Sequence, residues 1–306
     1  MATSKKKINV RAFTIIELLV VIAIIVLLVS ILIPALGKAF QVAKSTEDRT
    51  KVKGIYAAMT LYSSSNNGKL PRPSFIKDNF EPNLSDDTTG NLMSVMIARN
   101  FFNSDYVISP VESNPNVKDI QEIGLGYDYG SIDGEEVFWD SQFNGDVENA
   151  SAANPANNSY AHQALVGERV NLKWNSSAGI SDIIISNRGP RDGAFGDETE
   201  SNSYTLLFHG SKSSWSGSIV TGDGSARIAK SMFPEGIAYQ PINGMPLGPD
   251  NIFDAEVEGF ANYQGTSACS LQASTNTPWM PRGDWRFPPR FAVGWILLCM
   301  GGQSRL

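Results

Sequence analysis

Near its amino-terminal end the chain has a long apolar run, which is followed by a longer segment of mixed polarity. From Phe13 to Leu36 nearly every residue is apolar, and Glu17 is the one ionisable side chain in this run. As a helix, a run of this length spans the roughly 30 Å hydrocarbon core of a bilayer. Because a carboxylate inside a membrane is costly, we expect Glu17 to have a specific function and a positively charged partner.

The next segment, residues 37–66, predicts an amphipathic continuation of the same helix. Apolar residues recur at helical spacing from Phe40 to Tyr62, while charged residues fill the other faces. Asn66-Asn67-Gly68 and the following Pro71 supply residue types that end a helix. We therefore expect one helix from about Phe13 to Ser65, roughly 80 Å long at 1.5 Å per residue.

Two residues weaken this helix near the end of its apolar run. Pro34 removes a backbone hydrogen bond and clashes with the preceding turn, and Gly37 has a low helix propensity. A kink or a locally melted stretch is therefore expected at Pro34 and Gly37.

Residues 67–306 are predicted to form one globular domain. The predicted fold class is α+β, with the long helix packed on a carboxyl-terminal antiparallel sheet. Leu92–Phe102 predicts a short helix, and Gly222-Asp223-Gly224 predicts a hairpin turn. Glu148–Asn158 predicts a surface loop, whereas Phe291–Met300 is too short to span a membrane and predicts a buried strand. Further strands are predicted at Asp182–Ser186, Tyr204–His209, Ser218–Thr221 and Ser225–Ala229.

The charges beside the apolar run predict the orientation of the chain. Lys5, Lys6, Lys7 and Arg11 precede the run, and by the positive-inside rule they keep the amino terminus in the cytoplasm. The domain is then exported, with one crossing of the membrane. The chain has a net charge of −6, and an acidic exported domain argues against binding to nucleic acid, which needs a basic surface.

The residues around the start of the apolar run resemble a known processing signal. The stretch Ala12-Phe13-Thr14-Ile15-Ile16-Glu17-Leu18-Leu19-Val20 follows a short basic leader and is similar to the class III signal of type IV prepilins and type II secretion pseudopilins. Pro34 also lies where these proteins commonly have a helix proline. The chain departs from the family at Ala12, since the family usually has Gly before the cleaved bond.

This resemblance implies a maturation pathway. Residues 1–12 would be a cytoplasmic leader, cleaved between Ala12 and Phe13 by a prepilin peptidase that also methylates the new amino terminus at Phe13. Residues 13–36 would form the membrane half of the helix, and Glu17 would pair with the free amino terminus of a neighbouring subunit during assembly. Removing the four positive charges of the leader from the net charge of −6 would leave −10.

The resemblance also implies a pilin-like fold and a function. The chain would be a structural subunit, not an enzyme, of a type IV pilus-like or type II secretion pseudopilus filament. It would reside in the inner membrane, with its domain in the periplasm or on the cell surface, and its partners would be copies of itself or other pilin-like subunits. His209-Gly210 followed by Gly217–Arg227 is similar to the terminal hairpin of large pilin-like proteins from planctomycete-type bacteria.

Three alternatives stay open at this point. The apolar run is also compatible with a plain, uncleaved membrane anchor. Separately, the chain could be a membrane-tethered binding or enzymatic domain that uses a leader of the prepilin kind. The alternative to a paired Glu17 is a passive carboxyl group that snorkels or stays protonated within the span.

The two cysteines, Cys269 and Cys299, both lie on the side predicted to be exported. An even number of cysteines in an oxidising compartment favours one disulfide. The alternative is a pair of separate buried thiols.

Two acid-rich loops are weak candidates for a calcium site. Asp128 and Asp133 lie in one loop, and Asp192 and Asp197 lie in another. Their carboxylates are ligands of the kind that Ca²⁺ takes, but neither loop has the spacing of an EF-hand. Solvated turns are the alternative, and no other cofactor is expected.

The sequence contains no strong catalytic motif. His209 with one of the nearby serines could form a nucleophile–base pair; these serines are Ser211, Ser213 and Ser214. Because serine is common in this chain, we interpret His209 instead as a hydrogen-bonded strand residue.

Overall fold

Helix α1, Ile15–Ser64, is a single helix of 50 residues and is the element on which the fold is built. It ends where Asn67 and Gly68 adopt left-handed backbone conformations, with φ of 54° and 77°. The N–H of Gly68 donates to the carbonyl of Ser63 at 2.9 Å, which satisfies a carbonyl at the helix end. The predicted helix and its stop signal are thus confirmed. The computed structural model describes residues 14–78, 80–122, 138–147, 149–163, 165, 167–190, 204–209, 214–237 and 252–253.

Helix α1 continues through Pro34 and Gly37 without interruption. The locally melted stretch that we expected is therefore absent, although a kink at these residues stays a prediction. Proline removes only its own donor from the helix, and the flanking turns keep their backbone hydrogen bonds.

The described part of the domain contains three shorter helices and four strands. The strands form one sheet in the order β1-β2-β3-β4, and each neighbouring pair is antiparallel. Three single turns of 3-10 helix lie at Leu84–Asp86, Ser104–Val107 and Tyr204–Leu207. The remaining elements are α2, Pro73–Lys77; α3, Thr89–Ala98; β1, Tyr160–His162; α4, Gly167–Lys173; β2, Ile183–Asn187; β3, Gly217–Thr221; and β4, Ala226–Ala229.

The hairpin of β3 and β4 confirms the turn predicted at residues 222–224. Gly224 has a φ of 79°, which favours glycine, and its N–H donates to the carbonyl of Thr221 at 2.8 Å. The Asp223 carboxylate accepts hydrogen bonds from the hydroxyls of Thr221 and Ser225 at 2.6 and 2.7 Å. The turn therefore closes with local hydrogen bonds, and for that reason it was readable in the sequence.

Two predictions from the sequence are wrong. The expected strand Tyr204–His209 is a 3-10 turn followed by an irregular turn. The guanidinium of Arg188 lies 4.7 Å from the ring centroid of Phe208, and its Nε lies 3.4 Å from the Thr205 hydroxyl. This segment thus packs on an arginine instead of pairing with a strand, and its apolar pattern was too short to distinguish the two.

The expected surface loop Glu148–Asn158 is also partly buried. Its last residues, Ala156, Asn157 and Asn158, are at most 1% exposed. The side chain of Asn157 accepts from the N–H of Asn144 at 2.9 Å and donates to the carbonyl of Lys118 at 3.0 Å. Asparagine is buried here because it satisfies backbone groups of two other segments.

Helix α1 packs on the sheet through one stripe in its second half. Residues 15–44 are exposed, and the first buried residue is Asp48. Val52, Ile55 and Met59 continue the stripe and have no exposed surface. Helix α1 therefore has a free first half and a second half that is fixed to the domain.

The inner strands β2 and β3 are covered on both faces of the sheet. Val220 belongs to a core that includes α1 and α3, whereas its neighbour Ile219 belongs to a second core. In the second core the rings of Trp215 and Phe253 meet edge to face at 4.7 Å. Burial on both faces explains why β2 and β3 contain no exposed residue.

Candidate functional site

The first half of α1 exposes an apolar surface that the described domain does not cover. Over its most apolar stretch no residue is buried, and side chains such as Ile16 and Ile33 are 74% and 63% exposed. Burying one such side chain is favourable by about 1.5–3 kcal/mol. The length and composition of α1 would allow it to cross a membrane or to act as a signal sequence. A surface of this size marks contact with a membrane or another protein.

Thr14 and Glu17 form a capping box at the start of α1. The carboxylate of Glu17 accepts from the backbone N–H of Thr14 at 2.9 Å and from its hydroxyl at 2.8 Å. In return, the Thr14 hydroxyl accepts from the N–H of Glu17 at 3.2 Å. These bonds satisfy N–H groups that have no partner within the helix.

This capping box adds a role for Glu17 that our sequence interpretation missed. The spacing Thr-x-x-Glu before an apolar run is itself a signature of a helix start, so it was visible in the sequence. Glu17 is thus both a helix cap and the one acid of the apolar run. A charge-independent capping role and a charge-dependent pairing role can be separated by experiment.

Asp48 is the buried anchor of the second half of α1. Its side chain is completely buried where α1 meets the sheet. One carboxylate oxygen accepts from the hydroxyls of Ser109 and Tyr160 and from the amide of Asn187, the last two at 3.1 Å. The other oxygen accepts from the Ser218 hydroxyl at 2.6 Å. The carboxylate therefore joins α1 to β1, β2, β3 and the segment at residue 109.

The groups around Asp48 stabilise its negative charge. Burial by itself raises the pKa of Asp48, but the nearby His209 ring and the hydrogen bonds from Ser109, Ser218 and Asn187 outweigh it, so the pKa lies below its usual value of 3.8. His209 Nε2 lies 3.6 Å from the carboxylate, which is an ion-pair distance and longer than a hydrogen bond. The site holds a carboxylate anion in place at the junction of helix and sheet.

Ser45, His209 and Asp48 lie in a row. The Ser45 hydroxyl is 3.2 Å from His209 Nδ1, and the opposite ring nitrogen faces Asp48. This order resembles a nucleophile–base–acid chain, but acyl transfer also needs backbone donors for an oxyanion. Ser45 lies inside α1, where its N–H is used by the helix. We therefore interpret the row as a structural hydrogen-bond chain.

The serine that contacts His209 differs from those proposed from the sequence. Ser211 and Ser213 lie outside the described residues. Ser45 comes from another element, 164 positions away, so no local pattern could have revealed it. His209 also lies in a turn and not in the strand that we expected.

A second buried ion pair fixes the segment around residue 112. Arg188 and Glu112 form a two-pronged pair in which Arg188 Nη2 donates to Glu112 at 2.7 Å, and their side chains are 4% and 6% exposed. The Ser159 hydroxyl and the N–H of Asn114 also donate to Glu112, both at 2.8 Å. Because its polar atoms are satisfied within the fold, this pair reads as structural.

The remaining candidate residues cannot be placed. Ala12 and Phe13, the cleavage site, lie outside the described residues, and so do both cysteines and all four loop aspartates. Within the described ranges, no group of three or more His, Cys, Asp or Glu is placed to hold a metal ion. Those outside the described residues are Cys269, Cys299, Asp128, Asp133, Asp192 and Asp197.

No family model matches the chain, and neither a curated protein nor a solved structure matches it. The two features that bear on function are the exposed apolar half of α1 and the buried fixation of its other half.

Proposed function

We propose that the chain is a structural subunit of a filament of the type IV pilus or secretion pseudopilus kind. In this proposal a prepilin peptidase removes residues 1–12 and methylates Phe13. The first half of α1 lies in the inner membrane before assembly and packs against the same segment of other subunits afterwards. The domain is exported to the periplasm or the cell surface.

The observation that carries the proposal is the division of one continuous helix into two halves. Residues 15–44 are exposed and largely apolar, whereas the stripe from Asp48 onwards is fixed in the domain. A helix without interruption transmits the position of its apolar half to the domain. A subunit whose helix packs on its neighbours therefore places its domain at a defined site on the filament surface.

The apolar segment explains both locations that the proposal needs. In a bilayer, lipid chains surround its side chains, and in a filament the apolar helices of neighbouring subunits do so. Both environments remove the same surface from water, so transfer between them has no large hydrophobic cost. Specific contacts, such as the pairing of Glu17, then favour the filament.

The test is to identify the mature amino terminus in the native host and to ask whether the chain occurs in filaments. Mass spectrometry of membrane and sheared surface fractions should find chains that begin at methylated Phe13, and immunogold electron microscopy should label filaments. Ala12→Gly, which restores the usual residue of the resembled signal, should be processed at least as fast as wild type, and the bulky Ala12→Leu more slowly.

Recovery of chains that begin only at Met1 or Ala2, without any filament pool, would contradict the proposal. That result would favour the membrane-tethered domain. If the chain is processed but occurs in no filament, the predicted cleavage site would stand and the structural role would be wrong.

A further inference from the structure

The solvent-facing side of α1 has a basic edge and an acidic edge next to the point where the helix enters the domain. Arg49 and Lys53 form the basic edge, and Glu47 lies on the other side of the exposed face. At 3.6 residues per turn, Glu47 is about 120–160° around the helix axis from Lys53 and Arg49. Glu47 and Asp105, which belongs to the 3-10 turn Ser104–Val107 beside the helix, form the acidic edge.

The four charged side chains of these edges are exposed, and none makes an ion pair with another residue in the described part of the chain. The neighbouring Lys51 does not neutralise Asp105 by a side-chain contact. Its ammonium donates instead to the backbone carbonyls of Asp105 and Ile108, at 2.9 and 3.1 Å. Lys51 offsets one of the two negative charges in the groove, so the acidic edge keeps a net negative charge opposite in sign to that of the basic edge.

The acidic edge borders a shallow groove between α1 and the 3-10 turn. Gly54 allows Tyr106, one of the residues that line this groove, to approach α1 closely, because a Cβ at that position would collide with the Tyr106 hydroxyl. The Tyr106 ring therefore lies close against α1, and Lys51 lies 5.9 Å from its centroid. The groove is lined by Ala43, Glu47, Thr50, Lys51, Asp105 and Tyr106.

We propose that the basic edge of one copy of this chain binds the acidic edge of the next copy, so that Arg49 and Lys53 face Glu47 and Asp105 of the neighbour. The inference rests on the proposed filament function and specifies one contact within it. The two edges do not overlap, so each copy keeps one edge free after binding. A contact of this kind repeats from copy to copy instead of closing into a symmetric dimer.

The spacing of the edges predicts the stagger between neighbours. Copies in one membrane have parallel helices, and Glu47 precedes Arg49 by two residues and Lys53 by six. At 1.5 Å per residue, the pairing requires an axial offset of about 3–9 Å between adjacent copies. Exposed ion pairs have modest affinity, so this contact sets register and direction, whereas packing of the apolar helices supplies most of the attraction.

Anionic lipid headgroups are a poorer partner for the basic edge. Arg49 lies 13 residues beyond Leu36, the end of the apolar run, which places it about 20 Å farther along the helix. That distance exceeds the Debye length of about 8 Å at physiological salt. The acidic edge of a neighbouring copy lies at a similar distance from the apolar run, so it can supply the complementary charge.

The test is site-specific photocrosslinking from the groove, with a photoreactive phenylalanine analogue in place of Thr50 in the full chain, expressed in the native host. Wild type should give an adduct between two copies, mapped to the segment around Arg49 and Lys53. Arg49→Glu with Lys53→Glu should lower its yield at least about tenfold, and so should Glu47→Lys with Asp105→Lys. All four reversals in one chain should restore it, because the edges are again complementary.

Lys118→Glu with Lys230→Glu is the matched control for the basic-edge reversal, since it lowers the net charge by the same amount at exposed residues that belong to neither edge. This control should crosslink like wild type. A wild-type yield from either single-edge reversal, or adducts to lipid only, would overturn the inference. If filaments nevertheless form from correctly processed chains, the proposed function stands without this contact, whereas unprocessed chains without filaments would refute the function itself.

Discussion

The hydroxyl of Ser218 donates a 2.6 Å hydrogen bond to the carboxylate of Asp48 and so joins β3 to α1 across 170 positions of the chain. Asp48 is the residue at which α1 changes from an exposed helix to one fixed in the domain. The direction in which the apolar half leaves the domain is therefore determined by a buried carboxylate and its donors. In a filament, that direction would decide where each domain lies.

Asp48→Asn is expected to lower the free energy of unfolding by about 3 kcal/mol, because an amide group would replace one acceptor among buried donors. The measurement is urea unfolding of the detergent-solubilised full chain, followed by tryptophan fluorescence. Glu47→Gln is the matched control, since it neutralises the adjacent, exposed acid and should change stability by less than about 0.5 kcal/mol. Equal midpoints for the two variants would show that Asp48 is not the anchor.

The same variant should alter the response to acid. The folded pKa of Asp48 lies below its unfolded value of 3.8, so its stabilising contribution is present above pH 3.8 and is lost as the pH falls through the folded pKa. Wild type should therefore lose more stability than Asp48→Asn as the pH falls below 3.8. A parallel decline of both proteins would argue against this linkage.

His162 predicts a second pH dependence at higher pH. Burial lowers the pKa of His162 from 6.5 to about 4, while the Gln163 carbonyl, 2.7 Å from Nδ1, raises it slightly. Because the unfolded chain binds the proton first, the stability is complete above pH 6.5 and falls as the pH drops to about 4, by about 3 kcal/mol in all. In His162→Gln, the urea midpoint of unfolding should depend less on pH over this range than in wild type. An unchanged pH dependence would count against a buried neutral imidazole.

Glu17 has two roles that substitutions can separate. Glu17→Gln keeps a side chain that can cap the helix but removes the charge, whereas Glu17→Leu removes both. If the charge pairs with the Phe13 amine of a neighbour, both variants should insert and be processed but enter filaments poorly. If capping alone matters, Glu17→Gln should assemble like wild type. The processed, membrane-resident and filament pools are measured by immunoblotting of fractionated cells, with wild type alongside.

The two cysteines provide a test of export. We expect Cys269 and Cys299 to form a disulfide in protein taken from the cell envelope. Non-reducing peptide mapping by mass spectrometry should recover the linked peptides, and reduction should separate them. Alkylation of both residues without prior reduction would exclude the bridge.

The sequence by itself determined the elements that depend on neighbouring residues. The length of α1, its stop at Asn67-Gly68 and the β3–β4 turn were all readable, because each depends on side chains within a few positions. The composition of the apolar run alone likewise predicts that it lies in a bilayer or against a partner. The capping box of Thr14 and Glu17 is equally local, and its Thr-x-x-Glu spacing is visible in the sequence.

The tertiary structure decided what Asp48 does. In the sequence it stands between Glu47 and Arg49 like any solvated acid, although Val52, Ile55 and Met59 continue its face at helical spacing. Its donors come from segments between 61 and 170 positions away, and such contacts leave no local pattern. Only folding brings these hydroxyl and amide groups together, and only their sum outweighs the cost of burying the charge.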